Sequence, residues 1–141
     1  MIRTCPSCGQ KNRVPAKNAV SLARCGKCRA EIPPPFEPLE ADPELFDEVV
    51  GSAPVPVLVD FWAGWCAPCR RAAPEVARAA SETAGRAVVL KVDTEAWPEL
   101  AARYRVQSIP NFVVLSGGNV VVQQPGLVQA SQLVAWLEGA G

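Results

Sequence analysis

The chain has 141 residues, 14 basic and 14 acidic side chains, 49% hydrophobic residues, six cysteines and no histidine. That length accommodates one ordinary domain plus a small module, and the apolar fraction excludes disorder for the bulk of the chain. Without histidine there is no Ser–His or Cys–His nucleophile pair and no imidazole metal ligand, so a soft metal site must be built from cysteine.

The zero net charge is the sum of two unlike parts. Residues 1–30 hold seven basic residues and no acidic one; the rest of the chain holds the other seven basic residues and all 14 acidic ones. The first residues, Met1-Ile2-Arg3-Thr4-Cys5, lack the apolar core of a signal peptide. No apolar run approaches the roughly 20 residues of a membrane span. The expectation is a cytoplasmic protein with no membrane partner. In a reducing compartment paired cysteines are more often metal-binding or catalytic than structural.

All six cysteines fall in Cys-x-x-Cys pairs. Cys5-Pro6-Ser7-Cys8 and Cys25-Gly26-Lys27-Cys28 are separated by 16 residues, within the spacing of a four-cysteine zinc site. Four thiolates at tetrahedral angles satisfy Zn²⁺, and Gly9 and Gly26 ease the two knuckle turns. A segment of about 30 residues cannot bury enough core alone, so a structural zinc would supply its folding energy. The rival reading is two disulfides or a redox switch. Residues 1–30 contain no aromatic side chain for base stacking. Their basic character therefore implies steering of acidic clients, or packing on the acidic remainder, before nucleic-acid binding. A proline-rich stretch follows, and residues 31–41 read as a linker whose end supplies a first edge strand.

From residue 42 to 141 strands and helices alternate. Asp42-Pro43-Glu44 reads as a helix N-cap, first position and acidic first turn, with Leu45, Phe46, Val49 and Val50 at helical spacing. Val55 to Trp62 is an apolar, β-branched run suited to a buried central strand. Ala67 to about Ala84 reads as a helix, Ala87 to Val92 as a strand and Pro98 to Tyr104 as a short helix. Phe112–Leu115 and Val120–Val122 form a hairpin around Ser116-Gly117-Gly118-Asn119. A last helix buries Leu133, Trp136 and Leu137. The predicted class is α/β, a mixed sheet with helices on both faces and an antiparallel hairpin at one edge. No internal repeat is apparent.

Cys66 and Cys69 are the third pair. A lone Cys-x-x-Cys is ambiguous between half of a metal site, two buried cysteines and a reactive dithiol. Cys66 lies where a strand gives way to a helix, and helix N-terminal N–H groups stabilise a thiolate. Pro68 suits the first helical turn. No other cysteine pair is left to complete a metal site.

The segment Asp60-Phe61-Trp62-Ala63-Gly64-Trp65-Cys66-Ala67-Pro68-Cys69 resembles the active-site segment of thioredoxins. The likeness extends over about residues 42–141 through Pro74, Lys91-Val92-Asp93, Ser108-Ile109-Pro110, Gly117-Gly118 and Gly126. With the amino-terminal cysteines it extends to the zinc-containing thioredoxins of bacteria, the thioredoxin 2 type. The resemblance implies a thioredoxin fold with an N-terminal zinc-ribbon-like module at residues 1–30. It implies a protein-disulfide reductase working through the Cys66–Cys69 redox-active disulfide, with no bound nucleotide. Its partners would be disulfide-containing clients and an NADPH-dependent thioredoxin reductase. A disulfide oxidase or isomerase using the same dithiol is the alternative; a binding module carried by a zinc ribbon is a second.

Residue by residue, the resemblance makes Asp60 a buried acid that takes a proton from Cys69 through water; an exposed strand-end carboxylate is the other reading. Lys91 resembles the lysine beside that acid, or is a solvated strand end. Pro110 would be cis and face the dithiol. Trp65, Ala67, Pro68, Ile109, Pro110 and Gly126 would form the client-docking patch, with Trp62 as support beneath it. Pro74 shapes its helix, and Trp97, Tyr104 and Trp136 read as packing. Ala67 departs from the glycine usual at that position, which leaves the redox poise open.

Overall fold

A computed structural model describes residues 1–141. The amino-terminal segment carries two small antiparallel hairpins. β1 (Ile2–Thr4) pairs with β2 (Lys11–Arg13), and β3 (Ala23–Arg24) pairs with β4 (Glu31–Ile32). Each hairpin turns through one cysteine pair, and the second repeats the first 20 residues on. Cys5 N–H donates to Gln10 O and Cys25 N–H to Ala30 O; Gly9 N–H donates to Cys5 O and Arg29 N–H to Cys25 O. Gly9 and Arg29 both sit at positive φ. A two-fold pseudo-repeat is therefore present where the sequence shows none, because it resides in backbone geometry and only the cysteines are shared. β4 also falls inside the stretch read as linker. It shows no helical or alternating signal because it is only two residues long and runs into Pro33-Pro34-Pro35.

The remainder is a five-stranded mixed sheet of order β5-β7-β6-β8-β9 with four helices. Its strands are β5 (Leu39–Glu40), β6 (Val57–Trp62), β7 (Val88–Asp93), β8 (Asn111–Ser116) and β9 (Asn119–Pro125). β5, β7 and β6 run parallel, while β6, β8 and β9 are antiparallel neighbours. The β8–β9 turn places Gly117 and Gly118 at φ 57° and 83°, the two positive values a tight I′ hairpin turn requires.

The helices are α1 (Pro43–Ser52), α2 (Ala67–Glu82), α3 (Pro98–Arg103) and α4 (Ala130–Ala140). Asp42 caps α1: its Oδ1 accepts the Leu45 N–H at 2.8 Å. α2 continues through Pro74, which lacks an N–H for the Arg70 carbonyl.

Strand alternation divides the core between the two faces. Val57, Val59 and Phe61 point with Leu90 and Val113 toward α1 and α3. Leu58, Val89, Phe112 and Val114 point toward the Ala72, Val76 and Leu133 side chains of α2 and α4. The amino-terminal segment joins the first of these cores. Met1, Ala16 and Ala19 are buried in the same cluster as Phe46 and Val49 of α1. No helix is long and apolar enough to cross a membrane.

Candidate active site and metal centre

β6, the central strand, delivers the dithiol to one end of the sheet. Its last residue is Trp62, and a turn over 63–65 leads to Cys66, the N-cap of α2. Arg70 donates to Gly64 O at 2.8 Å and holds that turn against the helix. Cys66 and Cys69 form a disulfide with their Cα atoms 5.2 Å apart. Both are buried, and Cys66 Sγ accepts the Cys69 N–H at 3.2 Å. A sulfur at a helix N-cap with an amide aimed at it is stabilised as the anion.

The Ile109–Pro110 segment comes to the dithiol through Ile109. The Ile109–Pro110 peptide bond is cis, and Ile109 O is 3.7 Å from Cys66 Sγ. Gly126, at φ 92°, donates its N–H to Pro110 O at 2.8 Å. This φ is a conformation that side chains rarely adopt. An open groove of about 500 Å³ runs past the sulfurs, lined by Trp65, Cys66, Ala67, Pro68, Val106 and Ile109. Pro110 and Gly126, joined by their backbone hydrogen bond, are not among the residues that line it. Trp65 is 68% exposed on its rim, with its indole N–H donated to Glu95 at 2.8 Å.

Asp60 is 2% exposed, and its Oδ1 is buried without a hydrogen-bond partner. Burial pushes its carboxyl up to about 7, against the pull of Lys91 and with a smaller push from Glu40. Lys91 is Asp60's register partner on β7, yet its ammonium lies 3.8 Å from Glu40 and 4.5 Å above the Trp62 ring centroid. Trp62 therefore sits under the lysine beside the acid, outside the groove. Trp97 and Tyr104 pack on the α1 side of the sheet and Trp136 on the α4 side. The sequence reading missed Glu40, Glu95 and Arg70. Glu95 and Arg70 fall at sites with no motif spacing. Glu40 stood in a segment read chiefly as linker, and only its register with Lys91 exposes it.

At the other end, the four sulfurs of Cys5, Cys8, Cys25 and Cys28 lie within 4.8 Å of one another. Cys5–Cys28 and Cys8–Cys25 are each separated by 3.6 Å. Zn–S bonds of about 2.3 Å place tetrahedral sulfurs about 3.8 Å apart, so the cluster has the size of a zinc tetrahedron. Within the Cys8–Cys25 pair, the Cys25 thiol is pushed down to about 6 chiefly by the Cys28 backbone N–H, with Lys27 N–H and the Asn12 amide adding, while against the Gln10 backbone N–H the Cys8 thiol is pushed up to about 11 by burial and the neighbouring thiols. Donors aimed at sulfur are the arrangement that supports bound thiolates.

Comparison with known proteins matches both parts. The family described as "Thioredoxin" matches residues 37–139, and the one described as "Thioredoxin 2, N-terminal", a zinc ribbon, matches residues 4–30. The chain is 38% identical to "Thioredoxin C-3" of Corynebacterium nephridii over 138 residues, 98% of this chain and 94% of that one. It is 41% identical to "Thioredoxin C-2" of the same organism over 67% of this chain and 88% of that one. Among solved structures, a mutant thioredoxin from Halobacterium salinarum NRC-1 superposes with a TM-score of 0.69 at 33% identity, covering 75% of this chain and 92% of that one. With a helix-capping dithiol at the end of the central strand of this fold, the chain belongs to the thioredoxin family and is a thiol–disulfide oxidoreductase.

Proposed function

We propose that this protein reduces disulfides in client proteins and is itself re-reduced by an NADPH-dependent thioredoxin reductase. The observation that supports this most is the buried Asp60 carboxyl, its Oδ1 without a hydrogen-bond partner, in the strand leading to the dithiol. In the reduced protein the Cys66 thiolate attacks one sulfur of the client disulfide. A Cys66–client mixed disulfide forms, and the other client sulfur leaves as thiolate and takes up a proton. Asp60, poised near neutrality, accepts the Cys69 proton. The Cys69 thiolate then attacks Cys66 Sγ. The Cys66–Cys69 disulfide closes, the second client thiolate leaves, and two electrons have passed to the client.

Around this chemistry, Trp65, Ala67, Pro68 and Ile109 form the groove that receives an extended client segment, with the Ile109 backbone available for strand addition. The Gly126 N–H anchors Pro110 beside Ile109, and Trp62 carries Lys91 on the strand next to Asp60. Cys5, Cys8, Cys25 and Cys28 hold one structural Zn²⁺, which fixes the two hairpins against each other. This function belongs in a reducing compartment such as the cytoplasm.

The test is reduction of a protein disulfide with thioredoxin reductase and NADPH, followed as NADPH consumption. Turnover that requires both Cys66 and Cys69 is the expected result. No turnover with the reductase, together with rapid oxidation of a reduced client by the disulfide form, would reverse the direction and make the protein an oxidase.

A further inference from the structure

One row of side chains crosses three adjacent strands. Glu40 of β5 is opposite Lys91 of β7, and Lys91 is opposite Asp60 of β6. Strand alternation puts all three on the α2 face of the sheet. Lys91 thus stands between two carboxylates and can serve either. The structure shows it turned to Glu40: their charged atoms are 3.8 Å apart, and the Trp62 ring carries the ammonium from below at 4.5 Å. Asp60 has no ion pair and an unpartnered Oδ1.

We propose that Glu40 is a positioning residue of the dithiol centre, which holds Lys91 on its own side and so withholds from Asp60 the counter-ion that its ionised form would need. The inference rests on the role of Asp60 stated above and extends it to a residue outside the groove.

The charges around Asp60 make the case specific. β7 offers Lys91, with Asp93 acting on Glu40 from the same strand. β5 offers Glu40. β8 offers the apolar Phe112 in register with Asp60. α2 turns Cys69, Ala72 and Val76 inward, and α4 turns Leu133 and Leu137. The nearby cation is therefore Lys91, and the competing acid is Glu40. An exposed ion pair is weak alone, and Glu40 is largely exposed. Two features let it prevail. The Trp62 ring adds a cation–π contact on that side. Moving Lys91 toward Asp60 would bury a charge now partly in water. With Glu40 in place, ionising Asp60 means either taking Lys91 from its partner or holding an unpaired charge. With Glu40 neutral, Lys91 is free to follow the Asp60 charge.

The experiment is a carbon-13 carboxyl titration of the oxidised, zinc-loaded full chain, in wild type, Glu40→Gln, Glu40→Asp, Lys91→Met and Glu40→Gln/Lys91→Met. Glu40→Gln should lower the Asp60 midpoint by about one pH unit, the effect of bringing an opposite charge close. Glu40→Asp should leave it near wild type, and Lys91→Met should raise it. In the Lys91→Met background the Glu40→Gln shift should fall to less than half, since only repulsion through space remains. A purely structural role would move melting temperature and leave the midpoint in place. An unchanged midpoint in Glu40→Gln would overturn the proposal, as would an equal shift with and without Lys91. The titration needs no client or reductase. Failure of the reductase assay with the coupling intact would refute the proposed function and leave the role of Glu40 standing.

Discussion

Replacing Asp60 by asparagine should make the oxidised protein more stable at pH 8 than at pH 5, relative to wild type. The reasoning is linkage. The folded-state carboxyl titrates at about 7, above the ordinary 3.8, because burial penalises its charge. A carboxyl raised in the folded state is proton-bound there while the unfolded chain has already ionised. Stability is thus fully present below the unfolded pKa and is lost as pH rises toward the folded value. A shift of this size corresponds to about 4 kcal/mol, and about 3 kcal/mol of it falls between pH 5 and pH 8. Asparagine keeps the shape and removes the titration. Its amide needs partners and adds a constant cost of about 1–3 kcal/mol, independent of pH. The measurement is denaturant unfolding of both proteins, with their disulfides intact, across that range. The difference between them should widen in favour of the Asp60→Asn variant by about 3 kcal/mol from acid to alkaline pH. The zinc-ribbon segment is the same in both and cancels. A difference that stays flat with pH would show that Asp60 is not buried as a raised acid, and the proton-acceptor role would lose its basis. The same variant should reduce clients about 100-fold more slowly at neutral pH, within the range for loss of a general base.

Two other perturbations test separate parts of the site. Cys69→Ser should accumulate Cys66-linked mixed disulfides with client proteins, visible as reductant-sensitive adducts on gels; absence of adducts would mean that Cys66 is not the attacking sulfur. Arg105 follows α3 at φ 55°, a conformation that costs a non-glycine residue about 1 kcal/mol or more. Arg105→Gly should therefore raise the unfolding midpoint slightly in denaturant or leave it level, whereas a clear fall would mean that the arginine side chain stabilises the turn.

How far the sequence reached depended on the range of the signal. β6 was readable because a buried central strand is apolar on both faces, here at every position but Asp60, and α1 because Asp42, Pro43 and Glu44 specify a start by local chemistry alone. Their ends drifted by a residue or two: Val55 and Pro56 precede the strand, and α1 runs on to Ser52. The dithiol was found from its position between strand and helix. The hairpins of the amino-terminal segment were not, because strands of two or three residues are too short to show a period and are held by sulfur geometry. Arg3 illustrates the limit. It is 5% exposed and donates to the Ser21, Ile32 and Pro33 carbonyls. A basic residue in a basic segment gives no sign of being buried. Glu40 and Glu95 act through partners 51 and 30 residues away in sequence, so spacing alone cannot reveal them.

The same burial pattern predicts that the amino-terminal segment and the oxidoreductase domain melt together. Ala16 and Ala19 are 2% and 0% exposed and share a core with Phe46 and Val49 of α1, both fully buried. Small residues at such a contact let two backbones approach closely, so undocking uncovers the larger side chains beneath. Uncovering a single one costs about 1.5–3 kcal/mol. For a cooperative unit of 141 residues each kcal/mol lowers Tm by about 2–4 °C. Stripping zinc with a chelator under reducing conditions should therefore lower the Tm of the whole chain by at least about 3 °C. Ala19→Asp separates docking from metal binding. A charge at this buried contact is costly enough that undocking becomes the cheaper response. The variant should keep one zinc per chain by metal analysis and still lose a similar amount of Tm. If chelation and Ala19→Asp both left the main calorimetric transition unmoved, the contact would be incidental. If chelation alone moved it, the metal would act on the domain by some route other than this shared core.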